Sequence, residues 1–274
     1  MRNRITWGIM SAVMFISAGV LIFYFFWANG YIDPPNTSPS TEYTQFTYPS
    51  LPSEIDPSEI AAIDVTDDFI DRRDEDHKGW SYVCPVDFAQ LQAANPDIIG
   101  WFYMTNPYIS QPILRSPVDD SYYLSHNAEK EYDRSGALYV ESNYNTTTLD
   151  DLVTVIYGHR MSSGAMFGSL QSALSDVDLT SNPQFVVIYT PKNVYIYQIC
   201  ATIPRDKTHI LYYNDFNNES VYTSFINSVY SSTASETDLV DSIRPQYGDK
   251  LIILSTCLRR DRTQRFLVIA KRLN

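Results

Sequence analysis

Basic residues are in short supply in this chain. Its 274 residues carry 20 Lys and Arg against 32 Asp and Glu, a formal net charge of −12. Neutralising phosphates takes a clustered lysine and arginine surface, so no nucleic-acid partner is expected. Histidine is scarcer, with four residues at His77, His126, His159 and His209. No two of them stand four apart on a helix and none falls in a metal-ligand spacing, so no zinc site is expected. Cysteine stops at three, Cys84, Cys200 and Cys257. That excludes a disulfide-dense framework, and an odd count leaves at least one thiol free. Whether Cys84 and Cys200 pair is not decided by spacing. Cys200, inside VYIYQICATI, reads as a small buried apolar residue.

Charge is missing altogether from residues 5–32. The run ITWGIMSAVMFISAGVLIFYFFWA exceeds the ~20 apolar residues that cross a bilayer. Arg2 and Arg4 precede it and Asp33 is the first acid after it. The positive-inside rule then sets the N-terminus in the cytoplasm and the bulk of the chain outside. A cleaved signal peptide would have a core of only about 7–15 residues and a small-x-small site. FYFFW instead closes this run with bulky aromatics. The expectation is a single-pass anchor in the cell membrane within residues 1–30, cytoplasmic tip included. Residues 31–56 are rich in Pro, Ser and Thr without a period and read as a stalk. Residues 57–274 remain for a folded extracellular domain, and no internal repeat divides them.

Within that domain, a short helix is expected after Pro57. A firmer one is expected over CPVDFAQLQAANPD (84–97), with apolar Phe88, Leu91 and Ala94 and a stop at Asn95-Pro96. Short strands follow at 98–104, 107–114, 136–141, 152–159, 184–190, 193–203, 250–256 and 265–272, with Thr190–Asn193 as a hairpin turn. Helical inserts are expected at 119–126, 164–174 and 220–232. The pattern predicts a mainly β fold, a closed or nearly closed barrel of about eight strands with N-terminal helices.

Three side chains carry chemistry at strand edges. Cys257 ends the apolar run LIILST and is followed by the polar, basic stretch LRRDRTQR. It is either a buried structural thiol or a nucleophile, and the loop-like sequence after it weakens the first reading without deciding between them. A thiol near pKa 8.5 needs a neighbouring cation to attack as thiolate. His159 ends the strand VTVIYGH and precedes the polar turn RMSSG, which fits an acid/base group as well as a hydrogen-bonded core histidine. Arg265 opens FLVIA beside the strand of Cys257, although Arg259, Arg260, Arg262 and Arg272 compete for the same role. A rigid guanidinium suits an oxyanion or peptide carbonyl.

These segments together resemble a known family. YGHRMSSGAMFGSL, LSTC and RFLVIAKR are similar to the sortases, the Gram-positive cysteine transpeptidases, and most to class B. FAQLQAANPDIIGWFYM, SQPILRS, DDSYYLSHN and SGALYVE follow the class B order, so the resemblance runs over about residues 80–273. It implies a membrane-anchored enzyme that cleaves a secreted protein's LPxTG-, NPxTx- or PPxTG-like sorting signal after threonine. The acyl group then passes to a peptidoglycan-precursor amine, or to a lysine amine in the pilin-polymerising variant. It implies Cys257 as nucleophile, His159 as acid/base, Arg265 as the holder of carbonyls and oxyanion, and Ser255 and Leu124 as substrate contacts. Residues 207–213 fall where the family adds groove contacts, but match too poorly to single out a residue. No metal or other cofactor is implied, since the calcium-binding class is class A. Arg160 after the histidine, Leu258 after the cysteine and the run Arg259, Arg260, Arg262 depart from the usual class B pattern. A silent surface-binding module and a general cysteine protease are the weaker alternatives.

Overall fold

The computed structural model describes Cys84 and residues 86–274. The expected anchor, the stalk, the helix after Pro57 and the start of the domain lie outside the described residues. Among the described residues no helix is long and apolar enough to cross a membrane. The first element is α1 (Phe88–Ala94). Asp87 caps it by accepting the Gln90 N–H at 2.9 Å, and Asn95, ahead of Pro96, ends it in an extended conformation. Phe88 and Leu91 are buried as expected, while Ala94 is exposed.

Nine strands follow: β1 (Ile98–Thr105), β2 (Tyr108–Leu114), β3 (Leu138–Tyr139), β4 (Val153–Tyr157), β5 (Phe185–Tyr189), β6 (Val194–Asp206), β7 (Asp238–Leu239), β8 (Leu251–Cys257) and β9 (Gln264–Arg272). Hydrogen bonding runs in the order β5-β1-β2-β3-β4-β8-β9-β6, and β6 pairs back with β5. That pairing closes an eight-stranded barrel without free edges. The β5–β6 hairpin turns at Thr190, whose N–H donates to the Asn193 carbonyl at 2.8 Å. Strand β7, two residues long, pairs on the outside with β6 and is a ninth strand that the sequence pattern did not indicate.

Alternation sorts the barrel residues into two cores. Ile252 and Leu254 of β8 point inward with Phe102, Ile113, Leu138, Ile156, Val186, Ile188, Phe266 and Val268. Leu251 and Ile253 point outward with Val153, Val155, Leu267 and Ile269, and are covered by α3 (Ile210–Tyr213) and α4 (Glu219–Tyr230). Helix α4 buries Tyr222, Phe225, Ile226 and Val229, an i, i+3, i+4, i+7 stripe, and is capped by Asn218. Each of these side chains contributes about 1.5–3 kcal/mol by leaving water.

Local conformation trims several expected elements. The helix expected over 164–174 begins only at Leu170 and forms α2 (Leu170–Ser175), because Gly164 and Met166 adopt φ of +90° and +54°. The helix expected over 119–126 is a single 3-10 turn, Tyr122–Leu124. The strand expected over 136–141 keeps two ladder residues. Residues 210–213, outside every element expected from the sequence, form α3.

Candidate active site

Strand alternation carries the site out of the outer core. On β8 the outward set Leu251, Ile253, Ser255, Cys257 begins under α4 and ends in the open. The last rung of the β8–β9 ladder pairs Cys257 with Arg265. Directly opposed residues of an antiparallel pair project from the same face with Cβ atoms about 4.5–5.5 Å apart. The side chains therefore meet: Arg265 Nη1 lies 3.6 Å from Cys257 Sγ, directed as a donor to the sulfur. The same guanidinium donates to the Arg262 and Gln264 carbonyls at 3.5 Å, which fixes its head beside the thiol.

His159 arrives from the neighbouring strand. β4 and β8 run parallel with Tyr157 opposite Ser255, and the Gly158 N–H donates to the Ser255 carbonyl at 3.2 Å. His159 Nε2 lies 2.7 Å from the Leu124 carbonyl oxygen. A carbonyl only accepts, so this nitrogen carries a proton. The acceptor belongs to the last residue of a 3-10 turn, where carbonyls lack a partner within the turn.

These groups surround a cavity of ≈ 370 Å³, a volume suited to part of a peptide. All five residues singled out from sequence, Cys257, His159, Arg265, Ser255 and Leu124, line it. Ser255 is buried in its floor and Leu124 is exposed at its rim. Asp206–Ile210, leaving β6 beside β9, form one wall, and the stacked rings of Tyr139 and Tyr157 on β3 and β4, with centroids 5.4 Å apart, line the other side. Hydrogen bonds from the Thr208 hydroxyl and N–H hold the Asp206 carboxyl below its ordinary pKa, so the wall carries an anion. Burial raises the Tyr139 and Tyr157 phenols, which stay neutral donors.

The other cysteines stand apart. All three are free thiols. Cys200 is fully buried in the outer core, donates toward the Ile269 carbonyl at 3.3 Å, and is pushed up to about 12 by burial. Among the described residues no group of three His, Cys, Asp or Glu side chains gathers to hold a metal ion. His126 stacks on Tyr122 at 4.0 Å and lies outside the cavity lining.

The family model of the sortase domain matches residues 111–273. The chain belongs to the sortase family. Its similar relatives are of class B. Sortase B of Listeria monocytogenes is 30% identical over 169 residues, 61% of this chain and 65% of that protein. The match thus spans a little under two thirds of that relative's length. Among solved structures, sortase B of Bacillus anthracis, crystallised in complex with AAEK2, superposes with a TM-score of 0.57 at 29% identity. It covers 68% of this chain and 81% of that one. A Streptococcus pyogenes class B sortase involved in pilus biogenesis gives a TM-score of 0.58 at 25% identity, covering 68% of this chain and 98% of that one.

In this sortase fold the cavity also contains a residue that sequence reasoning passed over. His209, in the stretch 207–213 where no residue stands out by sequence, lines the cavity, caps α3 and pairs with Glu141 at 2.9 Å. The two are 68 residues apart, and no local pattern joins them. The only signal available was the position of the KTHILYY stretch in the family resemblance.

Proposed function

We propose that this chain is a membrane-anchored class B sortase acting outside the cell as a cysteine transpeptidase on sorting-signal peptides. The observation that carries this reading is the Cys257 thiol 3.6 Å from the Arg265 guanidinium, in a cavity that His159 also lines. Arg265 favours the thiolate and, once the carbonyl is attacked, the oxyanion. Cys257 attacks the threonine carbonyl of a bound LPxTG-, NPxTx- or PPxTG-type signal and forms a tetrahedral adduct. His159 gives its proton to the scissile amide nitrogen as the C–N bond breaks, leaving a thioester on Cys257. An incoming amine, from a peptidoglycan precursor, loses its proton to His159 and attacks the thioester. The new amide forms and the thiolate departs. Ser255 and Leu124 contact the peptide from the floor and rim, and the charge-free segment 5–32 holds the enzyme at the membrane.

The test is cleavage of that peptide panel by the full-length chain. Cys257→Ala should abolish turnover, whereas His159→Ala and Arg265→Ala should leave traces. Wild-type turnover by Cys257→Ala would end the assignment. A second reading has a specific observation in its favour, the similarity to a class B sortase involved in pilus biogenesis. In that reading the amine is a lysine of another pilin subunit, and cells would contain a product ladder.

A further inference from the structure

A second polar cluster sits beside the catalytic trio, and the mechanism above makes no use of it. Glu141, just beyond β3, accepts two hydrogen bonds from two different elements. The Tyr157 hydroxyl on β4 donates at 3.0 Å and His209 Nε2 at 2.9 Å. Both donors line the cavity. Glu141 is well covered, at 15% side-chain exposure, so its partners are not readily replaced by water. The other imidazole nitrogen, Nδ1, accepts the Tyr212 N–H at 3.0 Å. A backbone N–H only donates, so Nδ1 is unprotonated and a ring proton resides on Nε2, facing Glu141. The ring of Tyr144, three residues beyond Glu141, packs against His209 at 5.1 Å.

One imidazole therefore performs two tasks. It caps the single turn of α3, and it ties the Asp206–Ile210 wall to the far side of the cavity at Glu141. Cys257, Arg265 and His159 are carried by β8, β9 and the end of β4; of the wall only Asp206 shares a ladder with them, opposite Gln264 of β9, and residues 207–210 lie beyond it.

Resting on the reading of this cavity as the peptide-binding site, we propose that Glu141 and His209 form a latch. It holds the Asp206–Ile210 wall in place and so sets the fit of the sorting peptide. His209 is a positioning residue in this account. Opening the latch weakens binding and leaves the chemistry at the thiol alone.

Two substitutions at His209 separate its two bonds. His209→Asn keeps a short oxygen acceptor for the Tyr212 N–H but cannot reach Glu141. His209→Gln carries an amide donor that can. The full-length chain is assayed with whichever panel peptide the wild type cleaves. Glu141→Ala and His209→Asn should raise KM about tenfold, with kcat within about twofold of wild type. His209→Gln should restore KM to within about threefold. Wild-type KM in both impaired variants, a loss confined to kcat, or His209→Gln as impaired as His209→Asn would overturn the latch. Alkylation of Cys257 at the wild-type rate identifies variants that are folded. Hydrogen exchange needs no substrate and keeps the two ideas apart. Glu141→Ala should speed exchange over residues 206–213 about tenfold and leave β8 and β9 unchanged. Unchanged exchange over 206–213 would refute the latch, whereas a wild type that cleaves no peptide would refute the functional reading.

Discussion

Gly158 separates the end of β4 from His159, and replacing it with alanine should disable the enzyme through geometry alone. A Cβ added there would lie 2.6 Å from Leu138 Cδ2, 2.6 Å from Phe167 Cδ2 and 3.0 Å from Phe167 Cε2. Ordinary carbon contacts are about 3.5–4.0 Å, so the deficit is about 1 Å on two sides. Neither neighbour has room to withdraw. Leu138 and Phe167 are both 0% exposed, and the Phe167 ring stands edge-on to Phe102 at 5.6 Å. The backbone at 158 must move instead, and His159 moves with it. Overpacking of this kind costs about 1–3 kcal/mol. At about 2–4 °C per kcal/mol for a domain of this size, Tm should fall by roughly 2–12 °C. A displacement of about 1 Å in a catalytic group is worth about 100-fold in rate, so kcat should drop by about that factor in the peptide assay. Adding Leu138→Val, which removes the Cδ2 contact, should recover part of the lost kcat. Wild-type kcat in Gly158→Ala, whatever its Tm, would refute the claim that this strand end positions His159.

Other outcomes follow from the same structure. Arg265→Met should lower kcat about 100- to 1,000-fold with a small change in KM, because it removes a charge that acts on the thiolate and oxyanion; Arg265→Lys should recover only part of this. Alkylation of the folded protein at pH 8 should modify Cys257 and spare Cys200, whose thiol is buried and pushed up to about 12; digestion and mass analysis would read this directly, and Cys200→Ala should keep wild-type kcat. Thr154 Oγ1 is buried with no hydrogen-bond partner among the described residues, so Thr154→Val should raise Tm by a few degrees.

That the candidate site residues gather at one edge of the barrel was legible because the signal is local. Cys257 and His159 stand where an apolar run gives way to polar residues and Arg265 where one begins, and the period of two in LIILSTC already puts Ser255 and Cys257 on one face. The barrel was legible for the same reason, and its closure by β5–β6 follows from a hairpin turn visible at Thr190–Asn193. Short or tertiary-made elements were not. Strand β7 has two residues and pairs with β6 over 30 positions away, so no window could reveal it. Helix α2 starts late because Gly164 and Met166 take left-handed conformations, which glycine advertises and methionine does not. Helix α3 hides behind a histidine cap instead of the usual Ser, Asp or Asn. The Glu141–His209 pair depends on the fold to bring β3 and α3 together.

The central claim is that Cys257 carries the acyl group, and mass analysis of the trapped intermediate tests it most directly. The full-length chain is incubated with a cleavable sorting peptide without an acceptor amine, quenched in acid and digested. The account predicts an added mass equal to the peptide fragment ending in threonine, located on Cys257 and released by hydroxylamine. An adduct on another residue, or turnover of the same peptide by Cys257→Ala, would contradict it.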